Sequence, residues 1–209
     1  KYRLMQQEAL GVLGVNLVSC AFTQIQNKEN FIPALVENIK EGQVVIDMIR
    51  FTGPDLEHFD NHLMNLELVK RGLAEAILFS PEQDIVTISE YIYGKPLLIA
   101  RGSFRPITNS HLDLMNHGVN HFKTAFPKAK NPITIFEVNT HKDHSKFDEN
   151  DFLARVRSIA STGHHVLVSN FHLFFELKQF LRHFSKEPIA LIVGANLLEK
   201  VFAEEFYKI

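Results

Sequence analysis

Ten residues, Gly102 to His111, carry the types that bind phosphate groups: Gly-Ser-Phe-Arg-Pro-Ile-Thr-Asn-Ser-His. They follow the apolar run Leu97–Ala100 and Arg101, so they sit at a strand-to-helix joint. Gly102 permits close approach of a ligand to the backbone. Ser103 adds a small hydroxyl, and Phe104 is the one bulky residue beside it. A helix opening near Asn109 or Ser110 turns free N–H groups and its positive dipole end toward the same space, which suits an anion and above all phosphate. Thr108 and His111, three apart on the first turn, can face one point. Arg101 and Arg105 flank the loop with permanent positive charge. Read residue by residue, the same types also make an ordinary joint, with Gly ending a strand, Pro in the turn and Asn or Ser as cap.

Strands and helices must hold such a loop in place. Predicted strands cover 15–22, 43–51, 75–80, 96–101, 132–138, 165–170 and 188–194, most of them continuously apolar, as parallel strands covered on both faces should be. Amphipathic stretches lie between them, and Gly72 reads as the C-terminal cap of one. Strand–helix alternation of this kind predicts an α/β fold with a mainly parallel sheet of repeated βα units. Two architectures satisfy it: an open, Rossmann-like sheet, or a (β/α) barrel that has lost its eighth strand. Segment 80–96 has the weakest helical pattern and reads as a linker. It divides an amino-terminal βα segment, 1–94, of unassigned role, from residues 95–209, unless the two form one continuous domain.

Composition narrows the classes. At 209 residues, 45% hydrophobic and 22% charged, the chain can bury a sizeable core. Eighteen phenylalanines and no tryptophan predict a Phe-rich core. A formal net charge of −2 gives no global basic surface for nucleic acid. The one cysteine, Cys20, reads as a buried small hydrophobe. No apolar run reaches the ~20 residues of a membrane span, and no signal-peptide pattern opens the chain. A reducing, cytoplasmic setting is the expectation. The chain starts at Lys1 and ends in a helix-like run, which suggests a piece of something longer. Oligomeric state is not readable.

Other groups weigh less. His141, Lys142 and His144 read as a charged loop, and His117 and His121 as the polar face of the helix that His111 opens. His164 and His165 read as turn residues before a strand. No metal site is expected from any of them. Phe171, Phe174 and Phe175 read as core, with Phe171, at a strand end, the one available to a ligand. Glu57 and Asp60 make no acid/base pair that spacing justifies. Asp47, Arg50, Asp55 and Asp60 gather near a predicted strand end, and with Arg101 and Glu137 they are the residues a barrel active site would use.

The run Gly102–Met115 resembles the nicotinamide-mononucleotide adenylyltransferases, whose signature is Gly-x-Phe-Asn-Pro-x-(Thr or His)-x-x-His-Leu. Thr108 and His111 match its two key positions, shared with the wider nucleotidylyltransferase superfamily. Downstream, "ALIVGANLLEKVF" (190–202) resembles the family's strand followed by Gly-Ala-Asp-Leu-Leu-Glu. The likeness spans Lys95 to about Phe202. Arg105 stands in place of the family's Asn, Asn196 in place of its Asp, and no Trp is present to stack on a pyridine ring.

The resemblance implies transfer of AMP from ATP to nicotinamide or nicotinate mononucleotide, with pyrophosphate released and Mg²⁺ arriving with ATP. It implies ATP phosphates at Gly102, Ser103, Phe104, Arg105, Thr108 and His111, with His111 and Thr108 at the chemistry. The mononucleotide would meet Gly194, Asn196 and Phe171. The reading of the residues leaves two alternatives open: a nucleotide- or phosphate-binding protein without catalysis, and a barrel enzyme of unrelated substrate.

Overall fold

A computed structural model describes residues 2–40, 42–140 and 148–194. The chain divides into two compact units, Lys1–Ile77 and Leu78–Ile209.

In the first unit, helix replaces one predicted strand. α1 spans Tyr2–Thr23 and takes in 15–22. The residues ahead of that run decide the outcome. Tyr2–Leu10 contains Leu, Met, Gln, Glu and Ala, strong helix formers, with no Gly or Pro. A helix once nucleated extends cheaply, so it continues into the apolar run. Asn16 of α1 donates through Nδ2 to the carbonyls of Leu35 (3.1 Å) and Glu37 (2.7 Å). These lie at and just past the end of α2 (Lys28–Leu35), where helical partners run out. Cys20 is buried, but on a helix.

The second predicted strand, 43–51, forms no strand in the described residues. Side chains of α3 (Asn61–Lys70) satisfy part of its backbone instead. Asn65 accepts from the Ile49 N–H at 2.9 Å and donates to the Ile49 carbonyl at 2.7 Å. Asn61 does the same for Phe51, at 2.7 and 3.0 Å. Two asparagines one helical turn apart thus take the place of a neighbouring strand. Asp47 and Arg50 therefore ring no strand end. Asp55 lies in the short 3-10 turn Pro54–Leu56, and Asp60 caps α3 by accepting from His62 N (2.8 Å) and Leu63 N (3.2 Å). Phe31, Phe51 and Phe59 supply the unit's aromatic core, with Phe51 and Phe59 stacked at 4.1 Å. Gly72, at φ +69° just past α3, is the helix terminator the sequence predicts.

Because Asn65 is fully buried, its loss strands two backbone groups of Ile49. Asn65→Ala is expected to destabilise the fold by about 2–3 kcal/mol. Urea unfolding measures this, and an unchanged midpoint would show that the asparagine bridge is dispensable.

The sheet contains β1 (Ala76–Phe79), β2 (Ile85–Val86), β3 (Leu97–Arg101), β4 (Ile133–Asn139), β5 (His165–Ser169) and β6 (Ile189–Ile192), in the order β2-β1-β5-β4-β3-β6. β1 and β2 pair antiparallel. β3 runs parallel to β4, with Arg101 opposite Glu137, and parallel to β6, with Ala100 opposite Ile192. β4 and β5 are also parallel. The predicted linker 80–96 contains β2 and α4 (Ile88–Ile92). β2 and β6 end the sheet, so it is open among the described residues, and the barrel alternative falls.

The fold is α/β with a mixed, mostly parallel sheet of Rossmann-like order. From β3 the chain steps to β4 and β5 on one side, then returns to place β6 on the other side of β3. α5 (Asn109–Ala125), α6 (Glu149–Ala160) and α7 (Phe174–Phe184) connect β3 to β4, β4 to β5 and β5 to β6, and the right-handed rule for parallel crossovers expects α5 and α6 on one face and α7 on the other. α5 lies close on the sheet because Gly118 allows it: a Cβ there would stand 2.6 Å from Ile192 Cδ1.

His164 and His165 do more than turn the chain. His165 opens β5, and both rings are half-buried: His164 bonds Thr134 Oγ1 (2.8 Å), while His165 packs against Tyr91 (4.9 Å). Burial pushes both imidazoles below their ordinary 6.5, and for His165 it outweighs the opposing help of Thr134 and Glu82. Above pH 6.5 the rings are neutral in the folded and unfolded chain alike. Below it the unfolded chain binds protons that the folded one resists, so stability falls as pH drops from about 6.5 through the folded values. Urea midpoints between pH 7 and 5 should therefore decline, and the decline should flatten in His164→Gln/His165→Gln. An equally steep decline in that variant would assign it elsewhere.

Candidate functional site

The loop after β3 is organised by Phe104. Its backbone lies in the left-handed region at φ +45°, a strained setting for a bulky residue. Burial of the ring holds it there: Phe104 is 6% exposed and meets Phe136 edge-on at 5.0 Å. The ring also covers Gly102, where an added Cβ would come within 2.8 Å of Phe104 Cζ. Gly102 is thus required by the loop's own aromatic residue, a cause different from the ligand approach that its sequence position suggests. The Arg105–Pro106 peptide bond that follows is cis.

Thr108 is the N-cap of α5, and Thr108 and His111 do face one point, namely each other. His111 Nδ1 accepts from the Thr108 N–H at 3.1 Å and lies 2.8 Å from Thr108 Oγ1. The two residues form a capping box in which histidine fills the place usually taken by Glu or Gln. With Nδ1 used as an acceptor, the neutral ring carries its proton on Nε2. The edge of Phe104 meets the same imidazole at 5.2 Å. A half-buried histidine with fixed tautomer therefore stands beside the first N–H groups of a 17-residue helix.

The two flanking arginines are engaged by the protein. Arg101 and Glu137 form a buried pair, side chains 6% and 0% exposed, in which Arg101 Nε donates to Oε2 and Nη2 to Oε1 (2.8 Å). Ser169 Oγ donates to Glu137 Oε1, and Arg101 Nη1 reaches the His172 carbonyl at 3.3 Å. The guanidinium lies over the Phe174 ring at 4.6 Å. Side chains of β3, β4 and β5 are so joined at the sheet's carboxyl edge. The Gly102 N–H also donates to the Glu137 carbonyl at 3.1 Å, which anchors the first residue of the loop. Arg101 is therefore a structural cation. Arg105 sits 3.9 Å from Asp151 of α6, with both side chains well exposed, an arrangement worth less than about 1 kcal/mol.

The remaining predicted residues separate. Gly194 lies two residues beyond Ile192, as Gly102 lies two beyond the paired Ala100, so both glycines leave adjacent strands at one sheet edge. Ser103 is exposed, and its carbonyl accepts from Arg155 Nη1 at 3.0 Å. Phe171 is buried against Phe180 (5.1 Å), and its carbonyl accepts from Asn139 Nδ2. Phe175, by contrast, is 49% exposed and leaves the expected core stripe. His117 donates from Nδ1 to the Asp113 carbonyl at 2.7 Å on the exposed face of α5. Asn196, His141, Lys142 and His144 lie outside the described residues.

Three contributors escape a reading by motif: Glu137, Phe104 as the loop's organiser, and Arg155. Arg155 left a signal, being an arginine at helical spacing on the apolar face of Phe152, Val156 and Ile159 of α6.

Comparison with protein-family models, with curated proteins and with solved structures gives no match. Among the described residues no helix is long and apolar enough to cross a membrane.

Proposed function

We propose that residues 95–209 form a nucleotidylyltransferase-like domain that transfers AMP from ATP to nicotinamide or nicotinate mononucleotide, releasing pyrophosphate. One observation carries this reading: the Thr108–His111 box lies at the carboxyl end of β3, beside β6, where the strand order reverses. Open α/β sheets bind ligands in that crevice. The strained backbone at Phe104 supports it too, since strain of this kind gathers at binding loops.

The chemistry asks little covalent help from the protein. A phosphate oxygen of the acceptor attacks the α-phosphorus of ATP, the bond to the bridging oxygen breaks, and pyrophosphate leaves with its electron pair. The domain's part is positioning and charge stabilisation. The first N–H groups of α5 bind phosphate oxygens, and His111 Nε2–H donates to the one on which charge builds. Mg²⁺ enters with the ATP phosphates and offsets their charge.

The test is pyrophosphate release by the full chain from ATP, Mg²⁺ and a panel of mononucleotides. Activity with a pyridine mononucleotide, together with ATP binding that weakens with salt, is the expected result. ATP binding without turnover would identify a nucleotide-binding protein, and no calorimetric response to Mg-ATP from folded protein would remove both readings.

A further inference from the structure

α1 carries apolar residues on two opposite faces, and a helix of that kind needs cover on both. The inner face has it. Ala9 and Cys20 are buried, Asn16 bonds the carbonyls of Leu35 and Glu37, and Cys20 Sγ lies 3.9 Å from the Phe31 carbonyl. The outer face stands open among the described residues: Leu4, Val15, Val18 and Phe22 are 65%, 70%, 59% and 83% exposed. Val18 is two residues from Asn16 and two from Cys20, which turns it about 200° away from the packed side. We propose that this outer face is the interface of a homodimer, in which the α1 helices of two copies pack antiparallel.

A second copy fits the face by spacing, by area and by charge. Leu4, Glu8, Gly11, Val15, Val18 and Phe22 step alternately by four and three residues, the repeat along which one helix lies on another. A Cβ at Gly11 would meet nothing within 4 Å, so the packing within this chain does not ask for a glycine there. Its absence of a side chain thins the stripe for a neighbouring helix. Covering the four exposed residues, with Leu10 and Leu17 beside them, removes roughly 600 Å² of apolar surface per copy. A pair then buries about 1,200 Å², the lower bound for a specific association.

Charge selects the partner and its direction. No residue from Ala9 to Asn27 is charged, so what covers the stripe must itself be apolar, as the same stripe of a second copy is. A lipid surface would call for Lys or Arg bordering the stripe, and none occurs from Leu4 to Asn27. A parallel pair would set Glu8 against its own copy. An antiparallel pair, centred at residue 13, avoids this and opposes the helix dipoles. It sets Leu4 level with Phe22 of the partner subunit, and Gly11 level with Val15 of the partner subunit.

Sedimentation equilibrium of the full chain tests the dimer between about 1 and 100 µM, either side of an expected dissociation constant on the order of 10 µM for so small an interface. Val15→Glu should weaken association at least about tenfold, since it sets a charge against apolar atoms of the partner. That position is exposed and glutamate is a good helix former, so helical content and urea midpoint at low concentration should not change. Leu17→Gln, a milder change at the border of the stripe, should weaken association less. Mild oxidation of Leu4→Cys mixed with Phe22→Cys should yield the mixed disulfide dimer, and neither variant alone should cross-link through its new thiol. Folded chain that stays monomeric at 100 µM would overturn the proposal, as would a dimer that both Val15→Glu and Leu17→Gln leave unchanged. Cross-linking of Phe22→Cys to itself would overturn the antiparallel arrangement. Monomers that bind phosphatidylglycerol vesicles through the same stripe would replace the second copy with a lipid surface.

Discussion

Glu137→Gln should cost about 3–5 kcal/mol of folding stability, because it leaves the Arg101 guanidinium buried without a countercharge. The substitution preserves shape and keeps one oxygen to accept, so the loss reports charge rather than packing. Glu137 has no exposed surface, and its two oxygens serve Arg101 Nε, Arg101 Nη2 and Ser169 Oγ. A glutamine answers one side of that demand and turns an N–H₂ group toward the other. The paired variant Arg101→Met/Glu137→Leu separates the explanations. Removing both charges should recover most of the loss, since apolar replacement of a buried pair is often neutral. Urea unfolding of the single and paired variants measures both. A single-variant loss below about 1 kcal/mol would place the pair in the class of surface salt bridges and end its role as the clamp of the loop.

The strands that frame the loop were the most legible part of the chain. β3, β4 and β5 are buried over most of their length, so runs such as Leu97–Ala100 and Val166–Val168 are continuously apolar and bounded by turn residues. The same signal misled at 15–22, because a short apolar run has no period that separates a buried strand from a helix segment, and the deciding residues lay upstream in Tyr2–Leu10. At 43–51 the predicted strand does not form, and the partners its backbone takes instead were not legible: Asn61 and Asn65 give no sign in sequence that they will bond to Phe51 and Ile49. β2 is only two residues long and paired from a hairpin, too short for any alternation to be read.

The site was legible by type and less so by arrangement. Spacing brought Thr108 and His111 together correctly, because a three-residue offset on a helix is a local constraint. Arg101 looked available because its partner, Glu137, lies 36 residues away, and only strand register brings the two together. A separation of 52 residues likewise hides Arg155 from Ser103. Gly102 illustrates a further limit. A glycine at a strand end can serve a ligand or a neighbouring side chain, and here the Phe104 ring fills the space a Cβ would need. Sequence names the glycine, while tertiary packing supplies the cause.

His111→Ala should lower the rate of AMP transfer by roughly 10²–10³-fold, about 2.7–4 kcal/mol, by analogy with removal of one donor from an oxyanion-type site. The prediction rests on the proposed activity and on the ring's tautomer. The Thr108 N–H occupies Nδ1 at 3.1 Å, which leaves Nε2–H as the ring's donor. The substitution also removes half of the capping box, so some stability must go with the rate. Thr108 remains the N-cap, and the expected cost is about 0.5–1 kcal/mol. His111→Gln distinguishes the roles. Glutamine at the third helical position can restore the capping contact to the Thr108 N–H, as in the usual form of the box, but it cannot carry the donor at the position of Nε2. Stability should then return to near the parent value while the rate stays low. Measured rates and urea midpoints for the parent and both variants decide the matter. A glutamine variant with the parent's rate would show that His111 serves only to cap α5, and a His111→Ala variant that keeps full rate would reduce the whole motif to a helix start.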